Sequence, residues 1–212
     1  MTGVPILYRD DHLVVADKPA GMLVVAAPGR RAPTLVDVLS LQLGLRVLPV
    51  HRLDEDTTGC IGFALDESAR VRLERAFRDH AIERDYLALA TAVPSPEAGR
   101  IEANLAEGGD GVVRVVAHGG KTAVTHYQAL ARRERCCLLR CRLETGRRNQ
   151  IRAHLAALGC PLAGDRKYGY RPRSDESFPR PMLHSWRLRM EHPITSEPLE
   201  VVSVPVDAVM RP

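Results

Sequence analysis

Short apolar runs separated by polar turns recur along most of this chain. Runs of this length with rough alternation are typical of β-strands. They predict strands at residues 6–8, 12–16, 60–65, 83–90, 100–105, 112–117, 122–130, 136–143 and 199–204. Because the strands mostly follow one another with few helices between them, the pattern predicts an α+β fold. Its expected form is a largely antiparallel mixed central sheet flanked by a few helices.

Three segments carry the signals of helices. Thr34 is followed three residues later by Asp37, which is a capping signal, so a helix is predicted over residues 34–43 with Gly44 as its stop. Asp66 is the expected N-cap of a second helix. Apolar residues at positions i, i+4 and i+7 predict a third helix, which begins near residue 149 and stops at residue 159.

The composition narrows the class of protein. The chain has 212 residues, of which 45% are hydrophobic and 26% are charged, and this suits a single domain over residues 1–212. No apolar run approaches the roughly 20 residues that a membrane span needs, and residues 1–5 lack the start of a signal peptide. We therefore expect a cytoplasmic protein. The five cysteines form no Cys-x-x-Cys pair and are expected to be reduced core residues.

The densest group of reactive side chains is the signature loop, His-Arg-Leu-Asp-Glu-Asp-Thr-Thr-Gly at residues 51–59. The apolar run 60–65 follows directly, so this segment is predicted to be a loop that enters a buried strand. Arg52 and Asp54 are two residues apart, and in an extended segment such side chains project to the same face. The competing interpretation is a simple turn, in which Asp54, Asp56 and Thr58 satisfy backbone groups.

A second polar motif, Thr-Gly-Arg-Arg-Asn-Gln-Ile-Arg-Ala-His at residues 145–154, opens the third helix. Arg152 lies in the first turn, where a cation opposes the helix dipole at a cost of about 0.3–1 kcal/mol. Local conflicts of this kind often mark functional sites. The motif ends a basic block, residues 132–152, which holds eight arginines and two glutamates and is typical of a nucleic-acid contact surface.

The two motifs resemble the signatures of RluA-type RNA pseudouridine synthases. The first is similar to the family's His-Arg-Leu-Asp loop, with Thr57-Thr58-Gly59-Cys60 where the family has Thr-Ser-Gly-Leu. The second is similar to Thr-Gly-Arg-x-His-Gln-Ile-Arg-x-His except at Asn149, where histidine is usual. If that histidine only caps the helix, Asn149 can replace it, and if it contacts RNA, the contact changes. Both alternatives stay open.

Further similarities follow in the family's order along nearly the whole chain. Residues 18–22, 121–127, 165–169 and 182–193 each resemble a family motif, as does Tyr86 in its Arg-Asp-Tyr-Leu-Ala context. Nothing that resembles an appended basic RNA-binding module precedes residue 6 or follows residue 204. Lys18, in the first of these motifs, is interpreted as a solvated turn lysine and is not assigned to the site.

The resemblance implies an isomerase that converts specific uridines to pseudouridine in structured RNA, either ribosomal RNA, transfer RNA or both, with base flipping. No cofactor and no metal are expected, because bonds are exchanged without net redox change. The implied catalytic residues are Asp54, Tyr86 and Arg152, with Asp54 as nucleophile or base and Arg152 as its cationic partner. The implied RNA-binding residues are Arg52, which would fill the gap left by the flipped base, and His51, Thr58, Arg147 and Arg148. RNA is the expected partner of a monomer that does not bind membranes.

Two other functions fit parts of the pattern. One is an RNA-binding or RNA-chaperone domain whose pocket is inert, although the set of Asp54, Tyr86 and Arg152 favours an enzyme. The other is a different carboxylate enzyme that acts at a glycosidic carbon, such as a nucleoside hydrolase or a glycosidase. Glycosidases generally need two opposed carboxylates, and nothing in the sequence places Glu55 or Asp56 across from Asp54.

Overall fold

A computed structural model describes residues 3–172 and 178–212 of the protein. Its backbone groups into two compact units. The first consists of the chain up to Arg84 together with Ser185–Pro205, and the second consists of Asp85–His184 together with Val206–Pro212. The single domain expected from the length of the chain stays a prediction, and each unit is described below by itself.

The described residues form eleven strands and three α-helices. The strands are β1 (Ile6–Arg9), β2 (Leu13–Lys18), β3 (Leu48–Pro49), β4 (Thr58–Ala64), β5 (Glu83–Ala90), β6 (Ala98–Glu107), β7 (Val113–Val116), β8 (Lys121–Arg132), β9 (Cys137–Leu143), β10 (Leu183–Glu191) and β11 (Pro198–Val202). The helices are α1 (Leu35–Leu43), α2 (Glu67–Arg78) and α3 (Gln150–Ala157).

The sheet of the first unit has the strand order β1-β2-β4-β10-β11, and the short β3 also pairs with β4. The pairs β1–β2, β2–β4, β3–β4 and β10–β11 are antiparallel. Helix α2 packs its apolar side against this sheet, so that Leu73 joins Leu13, Cys60 and Leu188 in one buried cluster. The register sets Lys18 of β2 opposite Gly59 of β4, which places the end of β2 beside the signature loop.

The sheet of the second unit has the strand order β5-β9-β8-β6-β7. Its four neighbouring pairs are all antiparallel. Helix α3 packs on one face, where Ala153 shares a buried cluster with Leu105, Val113, Ala123 and Tyr168. The predicted α+β class with a largely antiparallel sheet is therefore confirmed.

The predicted helix ends are also confirmed. Thr34 caps α1 through a capping box with Asp37, and Gly44 closes it in the left-handed conformation at φ 70°. Asp66 caps α2 by accepting a hydrogen bond from the backbone N–H of Ala69. Strand β10 is not evident from hydrophobic alternation because polar residues such as His184 and Ser185 occupy buried positions in it.

The cysteines behave as predicted. All five are free and buried. Burial raises the pKa of the Cys60 and Cys141 thiols to about 12 in each case, so both stay protonated at neutral pH. Among the residues that the structure describes, no helix is long and apolar enough to cross a membrane.

Candidate active site and RNA-binding residues

The signature loop ends in a tight turn that carries Asp54. The backbone N–H of Thr57 donates a 3.1 Å hydrogen bond to the carbonyl oxygen of Asp54, which closes the turn around Glu55 and Asp56. Leu53, next to Asp54, is buried at 6% exposure and anchors the start of the turn. The Asp54 side chain is half-buried, as is Thr58 at the start of β4, whereas Arg52 is exposed. The predicted loop is therefore observed over residues 51–57, and its last two predicted residues, Thr58 and Gly59, already belong to β4.

The interpretation of Lys18 as a solvated lysine is wrong. Lys18 is only 1% exposed. Its Nζ donates to the carbonyl oxygens of Glu55 at 2.6 Å, Pro19 at 2.9 Å and Thr57 at 3.0 Å. Two of these acceptors belong to the turn that carries Asp54. Hydrogen bonds from a charged donor are stronger than those between neutral groups. Lys18 therefore fixes the backbone of the turn through the carbonyl oxygens of Glu55 and Thr57.

The imidazole of His51 is engaged within the first unit. Its Nε2 accepts a 2.9 Å hydrogen bond from the backbone N–H of Gly62, and its ring stacks on Phe77 with 4.3 Å between ring centroids. Burial, with a smaller contribution from the charge of Arg84, lowers the pKa of His51 to about 3. His51 is therefore neutral and ties the start of the signature loop to β4. Its expected contact with RNA stays a prediction.

Gly59 is required by a close approach of two strands. It has φ 103°, and a Cβ built on it would overlap the carbonyl oxygen of Ser185. Only glycine adopts such a conformation readily. The Ser185 hydroxyl in turn donates a 2.9 Å hydrogen bond to the carbonyl oxygen of Cys60. The exit of the signature loop is thus packed directly onto β10.

Tyr86 lies in β5 of the second unit and is 6% exposed. The register pairs it with Cys141 of β9, and Cys141 with Tyr127 of β8, so these three side chains share one face of the sheet. Thr125, two residues before Tyr127 on β8, points to the same face and bonds to side chains of α3. Tyr86 therefore faces the side of the sheet on which α3 lies.

The second motif is held by a buried polar network. The Gln150 side chain accepts from the Thr145 hydroxyl at 2.7 Å and from the backbone N–H of Arg147 at 2.9 Å. Its amide donates to the carbonyl oxygen of Val124 and to the Thr125 hydroxyl, each at 2.9 Å. This network joins the start of α3 to β8 and fixes the backbone on both sides of the arginine pair at 147–148.

Arg152 is held by three residues around the start of α3. Its Nε and one terminal nitrogen bond the two carboxylate oxygens of Asp165 at 2.7 and 2.9 Å. The other terminal nitrogen donates to the side-chain oxygen of Asn149 at 3.1 Å, and the guanidinium lies 4.9 Å from the centroid of the Tyr168 ring. The conflict between Arg152 and the helix dipole is therefore offset by a neighbouring carboxylate, which sequence reasoning did not identify.

Asn149 does not act as a side-chain cap. It precedes α3 in the left-handed conformation at φ 52°, and its side chain makes no capping hydrogen bond. Instead it bonds Arg152, and it is 8% exposed. Asn149 therefore does not replace a histidine cap through its side chain, and a contact of this position with RNA stays a prediction.

The basic block at residues 132–152 is divided along the second unit. Arg132 pairs with Glu97 near the turn between β8 and β9. Arg140 and Arg142, within β9, both bind the fully buried carboxylate of Asp85. Arg147 and Arg148 follow the other end of β9, a strand of seven residues that spans about 20 Å. The block therefore extends along the length of β9, and its central arginines are paired with Asp85.

Arg147 and Arg148 border a cavity of about 550 Å³. Nε of Arg147 donates a 3.1 Å hydrogen bond to the carbonyl oxygen of Thr122, and Arg148 pairs with Glu107. Lys121 also lines the cavity and is exposed. Three cationic side chains and one carboxylate leave this cavity with an excess of positive charge.

The residues expected to form the active site are divided between the two units. Asp54 belongs to the first unit, whereas Tyr86 and Arg152 belong to the second. The partnership of Arg152 with Asp54 stays a prediction. Lys18 and Asp165 are the residues that sequence reasoning missed. Both lie in segments that resemble family motifs, at 18–22 and 165–169, and that resemblance was the available signal.

Comparison with known proteins gives a consistent result. Residues 12–157 match the family described as RNA pseudouridylate synthase. The chain is 39% identical over 201 residues to ribosomal large subunit pseudouridine synthase D of Nitrosomonas europaea, an alignment that covers 89% of this chain and 58% of the relative. It is 36% identical over 213 residues to the protein of the same name in Zymomonas mobilis, which covers 92% of this chain and 67% of the relative.

Solved structures agree with these matches. Human RNA pseudouridylate synthase domain containing 4 has a TM-score of 0.79 at 27% identity, with 97% of this chain and 90% of that chain covered. Human RNA pseudouridylate synthase domain containing 1 has a TM-score of 0.80 at 25% identity, with 96% and 84% covered. The chain spans little more than half the length of the Nitrosomonas europaea relative.

Proposed function

Because the chain belongs to the RNA pseudouridylate synthase family, we propose that it converts uridine to pseudouridine in RNA. In this reaction the bond between C1′ of ribose and N1 of uracil breaks, and a bond between C1′ and C5 forms. C5 loses a proton and N1 gains one, so the composition of the nucleotide is unchanged. The residues must therefore supply a carboxylate, proton transfer and a means of holding the base.

The observation that carries this proposal is the fixed turn under Asp54. Lys18 binds two carbonyl oxygens of that turn, and Gly59 packs against Ser185 at its exit. A turn that only connected two strands would not need a buried ammonium group to fix it. Rigid placement is what a reactive carboxylate requires. Asp54 is therefore proposed as the essential nucleophile or base.

Tyr86 and Arg152 are proposed to support Asp54. Arg152 would stabilise the ionised carboxylate, since a nearby cation favours the charged form. Tyr86 would transfer a proton near the sugar or provide a surface on which the uracil stacks. The target uridine must leave its stack at a cost of a few kcal/mol, and the exposed Arg52 is proposed to fill the gap that it leaves.

The RNA surface is proposed to include Arg147, Arg148 and Thr58. The first two border a cavity that carries excess positive charge, which is suited to phosphate groups. Ribosomal RNA is the first substrate to test, because relatives are named for the large ribosomal subunit, and transfer RNA is the second. We further propose that the protein acts as a cytoplasmic monomer.

The test is incubation of the purified protein with protein-free ribosomal RNA and, separately, with transfer RNA. Pseudouridine is then mapped at single-nucleotide resolution, and free uracil is measured in the same samples. The proposal expects pseudouridine at one or a few defined uridines and no released base. Released uracil would instead support a hydrolase, and binding without any change in the RNA would support an inert RNA-binding domain.

A further inference from the structure

We propose that Asp165, Asn149 and Tyr168 are positioning residues that hold the Arg152 guanidinium in one orientation for the reaction. The inference rests on the function proposed above, in which Arg152 supports the reactive carboxylate. It gives a role to residues 165–169, a motif to which the sequence alone assigned none. None of the three residues is required to touch the substrate.

The geometry around Arg152 leaves little freedom to the guanidinium plane. Asp165 binds two nitrogens along one edge at 2.7 and 2.9 Å, and Asn149 accepts from the third nitrogen at 3.1 Å. The Tyr168 ring covers one face at 4.9 Å. The guanidinium group is thus bound along one edge, at its remaining nitrogen and over one face. It cannot rotate about its last side-chain bond without losing several of these contacts at once.

Stability alone is a weak reason for this arrangement. The Asp165 side chain is 1% exposed and that of Arg152 is 12% exposed. Removing two such charges from water is expensive, and well-packed apolar side chains of similar size often serve stability equally well. Arg152 also stands in the first turn of α3, where its charge opposes the helix dipole. A buried pair at this place is better explained by a requirement for an oriented guanidinium.

The segment that carries two of the three residues is itself rigid. The carbonyl oxygen of Asp165 accepts hydrogen bonds from the backbone N–H groups of Tyr168 and Tyr170, each at 3.0 Å. The Tyr168 hydroxyl accepts from the backbone N–H of Val113 at 3.2 Å, which fixes the far end of the ring. Carboxylate and ring therefore approach Arg152 as one unit, from a short 3₁₀ turn at Arg166–Tyr168.

Asn149 combines two properties that suit this position. Its backbone takes the left-handed conformation, which asparagine tolerates better than most residues. Its side-chain oxygen lies within 3.1 Å of Arg152. Asn149→Gly keeps the conformation and removes the oxygen, so the two properties can be separated experimentally.

The main test is a double-mutant cycle, which compares four proteins: the wild type, Asp165→Asn, Arg152→Ala and the double variant. Two quantities are measured with unmodified ribosomal RNA that the wild type accepts as a substrate. They are the single-turnover rate constant and the dissociation constant. Misplacement of a catalytic group by about 1 Å can cost 10²-fold, so Asp165→Asn is expected to slow turnover about 10- to 100-fold. RNA affinity should change less than threefold.

Coupling decides between positioning and a general structural role. If Asp165 acts through Arg152, the Asp165→Asn change should slow the Arg152→Ala protein less than about threefold further, because residues that act through one another are not additive. An equal loss in both backgrounds would overturn the inference, as would a parallel loss of RNA affinity.

Two further variants keep the test decisive if Asp165→Asn does not fold. Asn149→Gly is expected to slow turnover about 3- to 10-fold, whereas Asn149→Asp, which keeps an acceptor, should stay within about threefold of wild type. Tyr168→Phe keeps the ring over Arg152 and loses only the hydroxyl contact, so it should be faster than Tyr168→Leu, which loses the ring. Equal rates for Asn149→Gly and wild type, together with equal rates for Tyr168→Leu and Tyr168→Phe, would overturn the inference.

A measurement without RNA separates this inference from the proposed function. In ¹H–¹⁵N spectra the Nε–H of Arg152 should be protected from exchange, and it is assigned by its absence in Arg152→Lys. The signal should be weakened or lost in Asp165→Asn, because Asp165 is the acceptor of this N–H. Absence of a protected signal in the wild type overturns the inference even in an active enzyme. A wild type that modifies no RNA overturns the proposed function, and the spectra still decide whether Arg152 is held.

Discussion

The ammonium group of Lys18 lies 2.6 Å from the carbonyl oxygen of Glu55, 37 residues later in the chain. With its bonds to Pro19 and Thr57, Lys18 satisfies three backbone oxygens at a buried position. The turn that presents Asp54 is thus fixed through its backbone.

Lys18→Met should destabilise the protein and slow the reaction. Methionine fills much of the same volume but leaves three carbonyl oxygens without their donor, at a cost of about 2–4 kcal/mol in unfolding free energy. Urea unfolding monitored by circular dichroism gives this value, with the exposed Lys121→Met as the matched control. Equal stability of the two variants would show that Lys18 does not hold the turn.

Asp54→Asn should fold normally and form no detectable pseudouridine. The change keeps the size of the side chain and removes its charge and nucleophile, and loss of a nucleophile usually costs more than the 10²–10⁴-fold of acid–base catalysis. Single-turnover assays with excess enzyme exclude product release as the limiting step. Turnover within a few-fold of wild type would remove Asp54 from the chemistry.

The same turn supplies the controls for Asp54. Glu55 pairs with Arg30 at 2.5 Å, and Asp56 is exposed. Glu55→Gln and Asp56→Asn should therefore keep much of the activity. If either variant loses as much activity as Asp54→Asn, the reaction depends on the total negative charge of the loop. It then does not depend on the Asp54 carboxylate in particular.

Glu107→Gln should tighten RNA binding. Glu107 pairs with Arg148 beside the cavity at the second motif, so neutralising it releases Arg148 for a phosphate group. We expect the slope of log affinity against log salt to steepen by up to about 0.7–0.9, the value for one added phosphate contact. The same change made in an Arg148→Ala background should leave the slope unaltered, because no arginine is then released.

Glu74→Gln is the matched control for Glu107, because Glu74 also pairs with an arginine, Arg70, but on helix α2. Its slope should equal that of the wild type when affinity is measured from about 50 to 200 mM salt. If Glu74→Gln and Glu107→Gln shift the affinity equally, the effect is one of net charge, and the cavity is not a phosphate site.

His51 should make the protein less stable at mildly acidic pH. Its pKa is lowered to about 3 by burial, whereas a histidine in the unfolded chain has a pKa of about 6.5. The unfolded state therefore binds a proton that the folded state does not as the pH falls below about 6.5, and stability decreases in that direction. The stabilising effect of neutral His51 is fully present above this pH.

The effect can be measured as the slope of unfolding free energy against pH between about pH 7 and pH 5, where one such histidine contributes up to about 1.4 kcal/mol per pH unit. His51→Gln can still accept from Gly62 and should reduce the slope by up to this amount. Part of the slope should remain, because burial also lowers the pKa of His154 to about 4. An unchanged slope in His51→Gln would show that His51 is not buried neutral.

The parts of the structure that could be predicted from the sequence are those set by neighbouring residues. Thr34 and Asp37 cap α1 through a bond between positions three apart, and Asp66 caps α2 in the same way. Such signals depend on local geometry alone. Strand positions are predictable where one face is apolar, whereas β6 and β8 extend beyond the predicted ranges 100–105 and 122–130 at both ends.

The missed features depend on contacts between distant residues. Lys18 looks like an exposed lysine until β4 is placed beside β2 and brings the turn of the signature loop over it. Asp165 lies 13 residues from Arg152 and meets it only through the turn after α3. The pairing of Arg140 and Arg142 with the buried Asp85 likewise depends on the register of β9 against β5, which the sequence does not show.

The contact between Gly59 and Ser185 has a consequence for the order of events during synthesis. The signature loop is complete in sequence by residue 59, but the strand against which its exit packs begins at Leu183. When about 180 residues have been made, more than four-fifths of the chain, β10 has not yet been synthesised. The exit of the signature loop at Gly59 then lacks the strand on which it packs. Contacts of such high sequence separation form late. The turn that presents Asp54 should therefore lack its contact with β10 until that strand has emerged from the ribosome.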